Sequence, residues 1–307
     1  MKITVLGAGA VGGYFGGRLA EAGLDVTFLV RERRAEQLNK TGLVIKSSQG
    51  DLVLSNPKIV TTVEDIPACD LVLFTVKNYH LADSLGTLKA LVAKGAKVLP
   101  LLNGVEHFDL LAQALGAENV LGGICHIIAT LDSEGGVVHA GPLHNISFGP
   151  LQPEQQEFCR SFQAAASTAK LKIALSSNVR EDIWNKYAFI TAFSGITTAS
   201  RLSIDKVIAT EPTREVYRQV LNEMVALAAA KGVKLPESFA NDTVERMHKM
   251  APGSTSSMHQ DFRKGLWLEV ESLQGAAVRL GKEAGLEMPA VFTLYGLLKP
   301  YEHGSEV

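Results

Sequence analysis

The chain has 307 residues, 46% of them hydrophobic and 20% charged, and its 30 Lys+Arg against 32 Asp+Glu leave a formal net charge of −2. This composition excludes a disordered chain, and the near-neutral balance lacks the basic excess that nucleic acid or an acidic membrane surface requires. The length predicts two domains, and no apolar run reaches the ~18 residues needed to cross a bilayer.

The first half alternates short apolar runs with helical stretches. Lys2–Leu6 reads as a strand, residues 11–22 as a helix and residues 25–30 as a second strand. Residues 43–45 and Leu52–Leu54 read as a small hairpin. Residues 71–76 and 98–102 are apolar β-type runs, each followed by a polar residue and a helical pattern. Residues 120–128 are expected to continue the same sheet, with 137–139 and 146–148 as antiparallel strands at its edge. Such alternation predicts βαβ units and a parallel sheet covered on both faces.

The character changes near residue 178. Asn178 stands three residues before Glu181, a helix-start spacing, and Pro212 lies in the first turn of a second long pattern. A third helix is expected from about Ser257 to Leu280. The predicted fold class is therefore α/β: residues 1–177 form a Rossmann-type parallel-sheet domain, and residues 178–307 form an all-helical one.

Three scattered cysteines, Cys69, Cys125 and Cys159, offer no CxxC pair, and the eight histidines contain no HExxH. Neither a disulfide framework nor a metal site is expected, and a reducing cytoplasmic location fits. The apolar N-terminal run is broken by glycines within a few residues, unlike a signal peptide.

Gly7-Ala8-Gly9-Ala10-Val11-Gly12 is a full GxGxxG between a strand and a helix, the dinucleotide-binding context. Gly7 permits the turn, Gly9 lets the backbone approach a pyrophosphate, and Gly12 lets helix and sheet pack closely. The second strand ends not in an acid but in Val30-Arg31, with Glu32 one step late and Arg33-Arg34 beyond. A guanidinium grips a 2′-phosphate, so NADP is expected rather than NAD, with Arg31 as its reader. Lys77 and Asn103 follow the strand ends where open α/β sheets bind ligands, although either could be turn chemistry.

In the second half, Lys186 precedes fourteen uncharged residues, 187–200, which predict a buried helix. The lysine then lies at the mouth of a core, a placement suited to proton donation, or else snorkels from a helix edge. Glu269 falls in the stripe Met258, Phe262, Leu266, Leu273, Ala276 and Leu280. A carboxylate on a core face needs a partner, and a lysine from another helix is the economical one. It is either functional or a structural ion pair. Ser257 with Gln260 satisfies the capping-box spacing, which accounts for Ser257 without a substrate.

Taken together, GAGAVGG, Thr75-Val76-Lys77, Leu101-Leu102-Asn103-Gly104, Lys186, Ser256-Ser257-Met258-His259-Gln260-Asp261 and Glu269 resemble the ketopantoate reductase (2-dehydropantoate 2-reductase) family nearly end to end. The resemblance implies NADPH-dependent reduction of 2-dehydropantoate to pantoate, in pantothenate and coenzyme A synthesis. It implies a site in the cleft between a Rossmann and a helical domain, often in a homodimer. By the family pattern Lys186 donates the proton, Asn103 touches nicotinamide and substrate, Glu269 lies near both, Ser257 binds substrate, and Ala129 contacts the cofactor. Family members carry asparagines four and eight residues after the lysine; here Ile190 and Ser194 stand there, and of the two Ser194 is the expected substrate-binding residue. Ile190 can donate no hydrogen bond, so another 2-oxo acid is an alternative substrate.

Two other readings remain: an NADP-binding sensor without turnover, and a short-chain dehydrogenase suggested by Tyr295-Gly-Leu-Leu-Lys299. The latter motif lies eight residues from the end of the sequence instead of mid-chain, and the glycine loop is of another type. A flavin enzyme would want an acid where Arg31 stands.

Overall fold

The structure is a computed structural model and describes residues 1–304. Apolar runs too short for helices pair as a parallel sheet. The strands β1 (Lys2–Leu6), β2 (Asp25–Leu29), β5 (Lys58–Val60), β6 (Leu71–Phe74) and β7 (Lys97–Pro100) lie in the order β5-β2-β1-β6-β7. Every pairing among them is parallel. Chain direction away from β1 reverses between β2 and β6, which makes the C-terminal end of β1 the switch point where such sheets bind ligands. Helices α1 (Ala10–Glu21), α2 (Glu32–Thr41), α3 (Leu81–Ala93) and α4 (Glu106–Leu115) connect the strands.

A second sheet was not foreseen. It is built on β3 (Leu43–Ser47), β4 (Leu52–Leu54), β8 (Gly122–Leu131), β9 (Val137–Gly149) and β10 (Lys172–Leu175). The expectation that residues 120–128 continue the first sheet is corrected. Only an isolated bridge, Val98 with Val120, touches that sheet, after which β8 runs antiparallel to β9. The two runs expected at 137–139 and 146–148 are one 13-residue strand, β9. Its first part pairs in parallel with β3 and its last part with β10, while β8 lines its other edge through a bulge at Ile127/Ile128. Residues 43–45 and Leu52–Leu54 do pair as an antiparallel hairpin. Helix α5 (Gln156–Ala165) completes this part of the chain.

Helix α1 packs against both sheets, which explains its four glycines. A Cβ on Gly16 would stand 2.7 Å from Phe28 and from Val5 of the first sheet, and one on Gly17 2.7 Å from Ile45 of the second. Gly12 and Gly13 repeat the arrangement one turn earlier, towards Val5 and towards Val137 and Leu43. Residues four apart share a helix face, so two adjacent glycine pairs serve two neighbouring surfaces.

The rest of the chain is helical: α6 (Val179–Ser200), α7 (Ile204–Ala209), α8 (Glu211–Ala230), α9 (Phe239–Met247), α10 (Ser257–Arg263), α11 (Ala276–Glu283) and α12 (Pro289–Leu298). The helix expected from Ser257 to Leu280 is broken. α10 stops at Arg263, Gly265 turns with φ +65°, and one π-type turn, Glu271–Gly275, leads into α11. Leu266, part of the inferred stripe, is consequently 49% exposed. By contact density, Met1–Leu102 with His107–Val179 form one unit, and Asn103–Glu106 pack with the chain from Arg180 onward. No helix among the described residues is long and apolar enough to cross a membrane.

Candidate active site

The glycine loop sits where β1 hands over to α1. Gly7 has φ +100°, a conformation open to glycine at little cost, and a Cβ there would come 2.9 Å from Val76. Thr75, just past β6, donates its hydroxyl to the Gly7 carbonyl at 2.7 Å. The loop therefore lies against the 75–77 segment that carries Lys77. A Cβ on Gly12 would stand 2.1 Å from the Gly7 carbonyl, so only glycine closes this turn.

Nothing lies within 4 Å of the space a Gly9 side chain would fill. Gly9 is the N-cap of the 12-residue α1, with no side-chain cap and no acid in the first turn. Uncapped N–H groups, the helix dipole and missing negative charge together suit an anion beside Ala8, Gly9, Ala10 and Val11. The residues present fit a dinucleotide pyrophosphate.

The three arginines after β2 separate by role. Arg34 is structural: Nε donates to the Ala8 carbonyl at 2.9 Å, and Nη1 to Gln37 Oε1 at 2.6 Å and Gly135 O at 2.7 Å. Arg31, at the N-cap of α2, is exposed, with Nη2 3.5 Å from His80 Nδ1. Burial, and then the Arg31 charge, hold His80 below the ordinary histidine pKa. Lys77 caps the short turn Asn78–His80 that carries this histidine. Ala129 lies in the second sheet, in β8 opposite His139.

In the helical unit, Asn103 and Glu269 meet. Glu269 is 6% exposed, and the Asn103 amide donates to its Oε2 at 3.5 Å. Glu269 is not on a helix face as the stripe had suggested; it stands two residues before the π-type turn, whose Leu273 N–H bonds back to its carbonyl at 3.1 Å. Gly104, with φ +92°, presses on that turn, because a Cβ there would lie 2.5 Å from the Ser272 carbonyl.

Charge locks the contact. Arg279 donates from Nε to Glu106 Oε1 at 3.2 Å and from Nη2 to Oε2 at 2.8 Å, and from Nη1 to Glu271 Oε2 at 2.7 Å. Tyr295 donates to Glu271 at 2.5 Å, and the Lys299 ammonium reaches the same carboxylate oxygen. Burial alone would raise the Glu271 pKa, but hydrogen bonds from Lys299, Tyr295 and Arg279 bring it down to about 2. Arg279 and Glu106 lie 173 residues apart in sequence, so spacing gave no signal of their pairing.

Lys186 lies half-buried in α6, as the uncharged run after it led one to expect. Among the described residues no carboxylate forms an ion pair with it. Eleven residues further along, on the same face, Thr197 Oγ1 lies 3.1 Å from Ser256 Oγ, which brings the start of α10 onto α6. The α10 cap is Ser256, whose hydroxyl accepts the His259 N–H at 3.1 Å, and not Ser257. The capping explanation of Ser257 is corrected: the residue is exposed and its hydroxyl is free of that duty. Ser194, expected to bind substrate, is instead 1% exposed and donates its hydroxyl to the Ile190 carbonyl of its own helix at 2.6 Å. Among the described residues no group of three metal-ligating side chains comes together.

Two sequence models match the chain: "Ketopantoate reductase PanE/ApbA" over residues 3–153 and its C-terminal counterpart over residues 178–302. An oxidoreductase of Bacillus subtilis described as uncharacterized, YkpB, is 36% identical over 302 residues, covering 98% of this chain and 99% of its own. A 2-dehydropantoate 2-reductase from Nostoc is 29% identical over 314 residues, 97% of this chain and 94% of that one. The crystal structure of a 2-dehydropantoate 2-reductase from Geobacter metallireducens superposes with a TM-score of 0.91 at 27% identity, covering 98% and 99% of the two chains.

The Glu271 cluster has a pH signature. A carboxylate whose folded pKa is lowered from 4.5 to about 2 stabilises the fold above about pH 4.5, and that stability fades as the pH falls towards 2. In urea titrations Glu271→Gln should unfold earlier than the parent at neutral pH, and the two midpoints should converge across that window. A gap that stays constant with pH would show that the carboxylate is not held this way.

Proposed function

The chain belongs to the ketopantoate reductase family, a family of oxidoreductases acting on CH–OH groups, and we propose that it reduces a small 2-oxo acid to the 2-hydroxy acid with NADPH. The observation that carries this reading is the buried Glu269 carboxylate meeting the amide of Asn103, three residues past the end of β7, the fifth strand of the parallel sheet in chain order. A carboxylate removed from water is costly unless partnered, and here its partner is an amide that can also hold a carbonyl.

Gly7, Gly9 and Gly12 would admit the pyrophosphate, and Ala8, Ala10 and Val11 would offer it backbone at the α1 N-terminus. Arg31, exposed while Arg34 is occupied, would take the 2′-phosphate. Lys77 would add positive charge beside the loop, and Ala129 a backbone contact. When bound, the reduced nicotinamide supplies the hydride to the carbonyl carbon. Asn103 Nδ2 orients the substrate carbonyl, and Glu269 fixes the plane of that amide. Lys186 Nζ stabilises charge growing on the carbonyl oxygen and delivers the proton to it. The exposed Ser257 hydroxyl would hold the substrate carboxylate, and Ser194 would support the helix face beneath. 2-Dehydropantoate is the first substrate to test.

Lys186→Ala should lower kcat by a factor of about 10²–10⁴ while the Kd for NADPH, read by fluorescence, stays unchanged. Parent-like turnover in that variant would remove Lys186 from the mechanism. NADPH binding without turnover of any 2-oxo acid would instead favour a sensor. Arg31→Ala should raise the KM for NADPH by about tenfold or more, with the KM for NADH unaltered, because one charge-assisted contact is lost. Equal effects on both cofactors would show that Arg31 does not read the 2′-phosphate.

A further inference from the structure

The face of α6 that carries Lys186 offers a ligand hydrocarbon where it could have offered hydrogen bonds. Lys186, Ile190, Ser194 and Thr197 succeed one another at helical spacings of four, four and three, so they form one line. Accessibility falls along that line. Lys186 and Ile190 are half-buried, whereas Ser194 is 1% exposed and Thr197 is fully buried.

Neither buried hydroxyl is available to a ligand. Ser194 spends its proton on the Ile190 carbonyl at 2.6 Å, and Gln274 Nε2 approaches its oxygen at 3.3 Å while also donating to the Thr191 carbonyl at 2.7 Å. Thr197 donates to the Phe193 carbonyl at 2.7 Å and lies against Ser256 at 3.1 Å. A molecule whose reacting oxygen is at Lys186 therefore meets, one turn further on, the sec-butyl side chain of Ile190 as the last accessible group of this line.

We propose that Ile190 makes the site selective for 2-oxo acids whose tail beyond the carbonyl is branched hydrocarbon without a hydroxyl. This rests on the 2-oxo acid reductase reading above and narrows it. A hydroxyl laid on Ile190 loses its water and finds no acceptor or donor in return, whereas methyl groups there leave water for an apolar contact.

A matched pair of substrates isolates that single group: 3,3-dimethyl-2-oxobutanoate, and 2-dehydropantoate, which differs from it only by a terminal hydroxyl. With the parent enzyme and saturating NADPH, kcat/KM should favour the hydroxyl-free acid by about tenfold to a hundredfold, the range a hydrophobic pocket achieves against an added hydroxyl. Ile190→Asn should shift the ratio at least about tenfold towards 2-dehydropantoate, mainly through its KM. Ile190→Val, which keeps the apolar surface, should retain the parent's preference and shows whether the position tolerates change. A parent preference for 2-dehydropantoate, or a ratio unmoved in a folded Ile190→Asn, would overturn the selectivity while leaving the reductase reading intact. Turnover of neither acid, with NADPH bound, would overturn the selectivity, and absence of turnover across all 2-oxo acids would remove the reductase reading as well.

Discussion

One arginine holds the candidate site together. Arg279, on α11, grips Glu106 with two of its nitrogens and Glu271 with the third. Glu106 is three residues from Asn103, and Glu271 is two from Glu269, so this clamp ties together the two short segments that carry the amide and the acid. Sterics finish the work, since Gly104 fits against the Ser272 carbonyl only because it has no side chain. The planar guanidinium fork suits such a three-carboxylate-oxygen grip, and lysine could not reproduce it.

A comparable economy shapes the dinucleotide side. Helix α1 must approach two sheets at once, and paired glycines on adjacent faces make room for both. The same packing fixes the start of the helix, where Arg34 and Thr75 take up the Ala8 and Gly7 carbonyls. Beside them, a side chain added at Gly9 would meet nothing within 4 Å, so the start of the helix stays open. Fold and binding loop are thus one packing solution: enlarging any of these glycines disturbs sheet contact and anion site alike.

Four strands of the parallel sheet, β1, β2, β6 and β7, were legible because they are short apolar runs punctuated by polar turns. Strand β9 was not, since Gly141 and Pro142 interrupt its pattern; the strand continues past them only through an irregularity, with Gly141 at φ +78° and the pairing jumping from Ile127 opposite His144 to Ile128 opposite Ala140. The short β5 and β10 are half-exposed and show little periodicity. Periodicity also misled at residues 257–280, where Met258, Phe262 and Leu273 are buried from separate pieces of helix and so imitate one stripe. The glycine loop, Lys186 and Asn103 could be singled out because each has a local signature, whether spacing, an uncharged flank or a strand end. Glu269 is buried as the stripe implied, but it stands in an irregular segment and not on the helix the stripe assumed. Arg279 and Glu106 escaped notice because nothing local distinguishes them from solvated charges; only tertiary structure makes them neighbours.

The most direct measurement follows an atom. Purified protein would be given NADPH deuterated at both C4 positions together with 3,3-dimethyl-2-oxobutanoate or 2-dehydropantoate, and the product examined by mass spectrometry and NMR. The account predicts a 2-hydroxy acid with deuterium on C2 and none elsewhere. Unchanged oxo acid beside intact NADPH, or a hydroxy acid whose C2 hydrogen came from water, would contradict it.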